Sequence, residues 1–262
     1  MEEKKQREGC VGDIWHGLIG SGYKDLLMPS VIKPCLETPD NIGFHGVYHT
    51  YTKKVDDLTI RVTSARKDES KTMVFVTVIP VFSSEYENIV FEVEKVDVWS
   101  NGAEGTIEGS IFDGRTFSFF CQNYLDYKNK DLVGKKLRIN ISVVSKWAQV
   151  LPTKERVIVP EAGPVKGESI TLENMRYLNP YFDSDPELCE FFFPVQDIKT
   201  IKFLGKDVYK IKGVLSNSEG DGNDYFYDVY INPSLVERPE ELKIGEPFVG
   251  TGWLQGNIIG IV

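Results

Sequence analysis

All three histidines of the chain, His16, His45 and His49, fall in its first fifth, together with Cys10 and Cys35. Imidazole and thiolate are the ligands zinc prefers. His45 and His49 are four residues apart, which puts them on one side of either a strand or a helix, so the candidate metal set is Cys35, His45 and His49. The spacing matches no zinc-finger pattern and holds no paired cysteines, and the simpler account is that these side chains never meet. A second stretch, Asn217-Ser-Glu219-Gly-Asp221-Gly222 with Asp228 at the twelfth position, echoes a calcium-binding loop. Its third position is Glu, its twelfth is an Asp too short for bidentate ligation, and its flanks read as strands. An acidic hairpin loop is the plainer account.

A third set is basic. Lys128, Lys130, Lys135, Lys136, Arg138 and Lys146 are interleaved with Tyr124, Tyr127 and Trp147. Single-stranded nucleic acids are held this way, with charge for phosphates and rings for bases. Lys136 and Arg138 also fit the solvent face of an amphipathic strand, and Asp126 and Asp131 dilute the patch. Finally, Trp147-Ala-Gln149 and Trp253-Leu-Gln255 repeat a Trp–Gln pair that would either plug a core or line a sugar or peptide pocket. The candidate ligand-binding residues are therefore Lys136, Arg138, Lys146, Trp147, Trp253 and Gln255.

Enzyme motifs are sparse. Gly17-Leu-Ile-Gly20-Ser21-Gly22 is glycine-rich, but Tyr23-Lys24 does not complete a phosphate-binding loop and no strand precedes it. There is no GxSxG and no HExxH. A Ser–His–Asp or Cys–His site would have to reach into the N-terminal arm, where the histidines are.

The elements that must position these residues are mostly strands. Residues 1–45 read as an irregular arm with one short helix near Tyr23–Leu27. Thr59–Thr63 alternates apolar and polar, and Met73–Phe82 is apolar enough to be covered on both faces. Phe91 and Val93 take one parity and Val96 and Val98 the other, which requires a β-bulge near Glu94–Lys95. Gly105–Phe112 and Arg115–Gln122 flank Asp113-Gly114, a hairpin signal. Tyr124–Leu132 suggests a short helix, and Leu137, Ile139, Ile141 and Val143 mark the clearest strand. A short helix is expected at Pro186–Phe191, a single helical turn at Pro239–Leu242, and two short strands at Phe248–Leu254 and Asn257–Val262.

Landmarks recur in a fixed order. Ile107-Glu-Gly109 is matched by Ile211-Lys-Gly213, Asn123 by Asn232, Gly134 by Gly245, and Trp147 by Trp253. Matched in this way, the second copy gains about five residues before Asn232 and loses about five before Trp253, changes that loops absorb cheaply. Each copy reads strand, strand, strand, short helical piece, strand, an order that resembles an OB-fold barrel. A small sandwich or an SH3-like barrel fits nearly as well.

The expected architecture is mainly β: two tandem small OB-like β-barrels behind an N-terminal β-rich region, with short helices only. The expected divisions are 1–84, 85–159, a connector at 160–194, and 195–262. The chain has 262 residues and a net charge of −9, and residues 160–262 hold 9 basic and 17 acidic side chains. An acidic surface disfavours general nucleic-acid binding. Four scattered cysteines, no apolar leader and no long apolar run fit a cytoplasmic protein away from membranes. The reading is a non-catalytic binding or scaffold protein, with a protein or small-ligand partner and no cofactor. The alternative is an OB-type single-strand nucleic-acid or oligosaccharide binder using the first copy.

Overall fold

In the computed structural model the described residues are 12–20, 28–67, 72–82, 84–86, 89–111, 114–151, 156–158, 169–172, 175–180, 185, 187–215 and 224–262. They are mainly strand. Helix α1 (Gly12–Ile19) comes first, then a π-helical turn (Met28–Ile32) running into α2 (Lys33–Glu37). An antiparallel meander follows: β1 (Asn41–His45), β2 (Tyr48–Val55), β3 (Leu58–Arg66) and β4 (Met73–Val81). Next come β5 (Ile89–Val98), β6 (Gly105–Ile111), β7 (Thr116–Cys121) and β8 (Lys136–Val150). Strands β9 (Arg156–Ile158) and β10 (Ser169–Thr171) form a two-stranded ladder. The chain continues through β11 (Tyr177–Pro180), β12 (Leu188–Pro194), β13 (Asp197–Phe203), β14 (Lys206–Leu215), β15 (Tyr225–Ile231), β16 (Val236–Glu237) and β17 (Pro247–Ile261). Among the described residues no helix is long and apolar enough to cross a membrane.

Two strands organise the larger sheet. β8 and β17, 15 residues each, lie antiparallel from Phe248↔Val150 to Ile261↔Leu137. This ladder has register shifts between Thr251 and Gly252 and between Ile258 and Gly260. Val143 opposes Leu254 at its centre, and one step to either side Ser142 opposes Gln255 and Val144 opposes Trp253. β8 divides its other edge among β5, β15 and β16, and β17 divides its own between β12 and β7. The first part of β8 pairs antiparallel with β5, while Ser142–Val144 run parallel to β15. The first part of β17 pairs antiparallel with β12, while Gln255 and Gly256 run parallel to β7. One circuit of ladders therefore passes β5–β6–β7–β17–β8 and returns to β5. A second passes β13–β14–β15–β8–β17–β12, with β12 and β13 separated only by Val195–Gln196.

The circuits share local bonding. Val93 N donates to Lys135 O at 2.9 Å and Gly134 N to Val93 O at 2.8 Å. Val195 N donates to Glu246 O at 3.0 Å and Gly245 N to Val195 O at 2.8 Å. Gly134 and Gly245 both have positive φ, at 74° and 89°, which favours glycine there. The bulge expected near Glu94–Lys95 is present as a register shift between Val93 and Lys95. One apolar core fills both circuits, with Phe91, Phe119, Leu137 and Ile139 in the first and Phe193, Ile211, Val229 and Phe248 in the second.

A second core lies outside the circuits. Ile14, Trp15, Leu18 and Ile19 of α1 pack with Ile60, Val62 and Val78 of the meander against Val144, Tyr230 and Trp253. Gly17, the first glycine of the glycine-rich run, serves this packing. A Cβ on Gly17 would sit 2.6 Å from Ser145 O, so glycine lets α1 lie close on β8.

Several sequence expectations change. An ordered helix occupies part of the arm expected to be irregular, and the helix expected at 23–27 lies outside the described residues. Tyr124–Leu132 forms only a 3-10 turn at Tyr124–Asp126. Met73, Val74 and Phe75 are exposed, so only the later part of β4 is covered. Leu188–Phe191 belong to a strand, as suits an aromatic run with Cys189, Phe191 and Phe193 buried on β12. The C-terminal pair of strands is one strand: Gly256 marks a close approach to Phe119 and Asn140 rather than a turn. Trp147 opposes Thr251 whereas Trp253 opposes Val144, so the two tryptophans stand at different places along the β8–β17 ladder.

Candidate binding site

Alternation on β5 sends Ile89, Phe91 and Val93 into the core and Val90, Glu92 and Glu94 outward. Leu137 and Ile139 do the same on β8, leaving Lys136 and Arg138 outside. Register then sets a polar row across three strands: Lys136 opposes Glu92, and Glu92 opposes Ser110. One step along, Val90 opposes Arg138. This outer face forms one wall of a cleft of about 590 Å³, lined by Val90, Glu92, Ser110, Ile111, Gly114, Lys136 and Tyr225. That volume suits a small organic ligand. Lys136 Nζ and Glu92 Oε2 are 3.8 Å apart, and both side chains are more than half exposed. The contact is longer than a hydrogen bond, so each group keeps bonding capacity for a third partner.

The six candidate ligand residues separate. Lys136 lines the cleft and Arg138 stands beside it, opposite Val90. Lys146 Nζ lies 5.5 Å from the centre of the Trp253 ring. Trp147 is partly exposed and donates Nε1 to Glu237 Oε1 at 2.6 Å. Trp253 is buried in the outer core, and Gln255 is fully buried, its Oε1 accepting from Gln122 Nε2 at 2.8 Å. Gln122 Oε1 in turn accepts from Phe82 N at 3.0 Å and Asn257 Nδ2 at 3.1 Å. The Trp–Gln pair of the second copy thus belongs to the seam where β17 meets β7. Of the interleaved basic residues, Lys128 Nζ lies over the Tyr48 ring at 4.3 Å and Lys130 Nζ over Tyr127 at 4.4 Å.

The metal candidates also part company. A two-residue turn between β1 and β2 makes His45 oppose Tyr48 and Phe44 oppose His49, so the two imidazoles lie on opposite faces of a hairpin. His45 Nε2 lies 3.6 Å from Asp126 Oδ1, and His49 packs edge-on against Phe44 at 4.9 Å. The Cys35 thiol is buried and donates to Tyr51 O at 3.1 Å. Among the described residues no three His, Cys, Asp or Glu side chains converge as a metal would require. Within the acidic stretch, residues 216–223 lie outside the described residues. Asp228 is buried in β15 with Lys210 Nζ 3.3 Å from its Oδ2. Burial pushes that carboxyl up, and Lys210 opposes the shift.

Sequence reasoning missed Glu92, Ser110 and Tyr225. Glu92 and Ser110 were legible only as outward positions, and Tyr225 comes from the other circuit. Also unforeseen is the polar contact between the meander and the first circuit. Glu104 is buried, with Oε1 accepting from Thr77 Oγ1 at 2.9 Å and Oε2 accepting from Asn101 Nδ2 at 2.5 Å. Burial pushes the Glu104 carboxyl up against the opposing effect of those two bonds. Arg61 donates from Nη1 to Gln122 O across the same contact. Burial also pushes the Cys121 thiol up to about 12 and raises those of Cys189 and Cys35, so none is a ready nucleophile.

Comparison with known protein families, curated proteins and solved structures returns no match.

Proposed function

We propose that the chain is a non-catalytic binding protein whose ligand occupies the cleft on the outside of the first circuit. The observation that carries this is the convergence of Lys136, Glu92, Ser110 and Tyr225 around about 590 Å³ of space. The non-catalytic reading is supported by three buried thiols and by a cleft lining that, among the described residues, holds no histidine or cysteine. The frame is two OB-like barrels, copies of one unit, each lending the end of its long strand to close the other. In its support, the first circuit returns to its starting strand and the second ends on β12, two residues before its start, parallel pairings β7–β17 and β15–β8 fall at corresponding places, and Val93 and Val195 make the same bonds. Reduced, buried Cys35, Cys121 and Cys189 fit a cytoplasmic setting.

A single-strand nucleic-acid reading draws less support. Lys136 faces Glu92, Lys128 and Lys130 lie over tyrosine rings, and the chain carries nine excess negative charges. The test is a thermal-shift screen across metals, nucleotides, oligonucleotides, amino acids and glycans, since a compound that binds only the folded chain raises its melting temperature. The expected result is a shift by a small neutral compound that Lys136→Glu with Arg138→Glu abolishes. A shift unaffected by those substitutions would move the site elsewhere.

A further inference from the structure

We infer that the cleft is built for an uncharged, many-hydroxyl ligand, a saccharide, an inference that rests on the binding reading above. Glu92 and Lys136 stand 3.8 Å apart on neighbouring strands and both line the cleft. A phosphate or carboxylate drawn to Lys136 would meet Glu92 at once, and a cation drawn to Glu92 would meet Lys136. The cost of such like-charge juxtaposition selects a ligand without net charge. Bonding capacity narrows the class further. Glu92 only accepts, Lys136 only donates, and the Ser110 hydroxyl does both. Ordered as Lys136–Glu92–Ser110 across the strands, they present donor, acceptor and mixed group in one row. Adjacent hydroxyls of a sugar ring, each able to donate and accept, answer such a row. The remaining walls are apolar: Val90, Ile111 and the ring of Tyr225. A pyranose has a matching C–H face that packs on aromatic and aliphatic groups while its hydroxyls bond to the row. A zwitterionic amino acid is also neutral overall, but it would separate Lys136 and Glu92 into two ion pairs and so bind less tightly as salt rises.

The experiment is calorimetric titration of the full chain with maltotetraose, cellotetraose, xylotetraose and chitotetraose, and in parallel with phenylalanine and a Phe-Ser dipeptide, at 50 mM and 500 mM salt. The proposal expects at least one oligosaccharide to bind with an affinity unchanged between the two salts. It also expects roughly tenfold losses for Glu92→Gln, for Lys136→Met and for Tyr225→Ala, each removing one bonding or packing partner. Circular dichroism and melting curves establish that each variant is folded. Salt-sensitive binding of the amino acid or dipeptide alone, lost in the same variants, overturns the saccharide and leaves the binding cleft standing. Binding by none of these compounds also overturns the saccharide. If the wider thermal-shift screen is then equally silent, the binding reading falls with it.

Discussion

The two circuits hold corresponding positions that differ in chemistry. One residue before Val93 stands Glu92, opposite Lys136; one residue before Val195 stands Pro194, opposite Pro247. The first pair is charged and open, and the second is buried. Two steps earlier, Val90 is 39% exposed whereas Phe192 is 3% exposed and stacked by Tyr177 from β11. The contrast recurs where β6 and β14 begin. Glu104, whose carbonyl accepts from Trp99 N, corresponds in register to Val208, opposite Ile201, and both are buried. At these positions the first circuit carries charged groups, open on β5 and buried at Glu104, where the second carries apolar, buried ones. Both circuits share one apolar core, so the difference between them lies in the outward positions.

The largest test of this comparison removes what the circuits exchange. Deleting residues 256–262 takes away the part of β17 that closes the first circuit and leaves the part that closes the second. It removes Ile258, which is 2% exposed, and the Asn257 bonds to Phe82 and Gln122. The expected cost is about 4 kcal/mol or more, the scale of losing a large core side chain together with its ladder. Amide exchange should show residues 89–121 losing protection before residues 188–215. Equal loss throughout would mean that the circuits do not differ in their dependence on this segment.

Gly109 and Gly213 provide the next test. Both lie on the second strand of a circuit, but a Cβ on Gly109 would come 2.0 Å from Glu92 O, a backbone atom. On Gly213 it would come 2.9 Å from the Phe193 ring, a side chain that can shift. Gly109→Ala should cost about 3 kcal/mol and Gly213→Ala about 1 to 2 kcal/mol in urea unfolding. The reverse order would show the second circuit to be the less tolerant.

How much of this was legible in the sequence follows from the range of each signal. Alternation is local, and it located β8, the β6–β7 hairpin and the bulge, because two parities on one strand can share a face only through an inserted residue. Gly109 and Gly213 each mark a close approach, to Glu92 of β5 and to Phe193 of β12. The exchange of β8 and β17 was not legible. Parallel pairings such as Gln255↔Phe120 join residues far apart in the chain and leave no periodic trace. The Trp–Gln match misled because tryptophan is rare enough to look like a landmark, yet Trp147 bonds Glu237 at the surface and Trp253 serves the outer core. Of the site, Lys136 and Arg138 were visible as outward charges, whereas Tyr225 required the other circuit to be in place.

Glu104 turns the comparison into a pH dependence. Its carboxyl titrates above the ordinary value of 4.5 because burial disfavours its charge. At neutral pH the folded chain holds that charge against the cost of burial, a cost that Glu104→Gln removes while giving up one of the two accepted hydrogen bonds. As pH falls through the raised value, Glu104 takes its proton in the folded chain before it does so in the unfolded one. The wild type therefore gains on the variant, and the gain is complete below about 4.5. Melting curves of both proteins across that window measure the gap. Val208→Ala, at the corresponding place, should lose stability by an amount that does not change with pH. A constant gap for Glu104→Gln would mean that the carboxyl carries no excess burden when buried.

The smallest effect concerns the pair that distinguishes the cleft. Lys136 and Glu92 are 61% and 54% exposed, and their contact spans 3.8 Å. An exposed pair at that distance contributes under about 1 kcal/mol, so Lys136→Met should leave the melting temperature nearly unchanged. Its counterpart Pro247 is buried, begins β17 and has no N–H to add to the ladder. Pro247→Lys should cost more than Lys136→Met, because it places a charge against buried Pro194. If Lys136→Met proves the more damaging of the two, the open row of the first circuit is a structural clamp and is not free to meet a ligand.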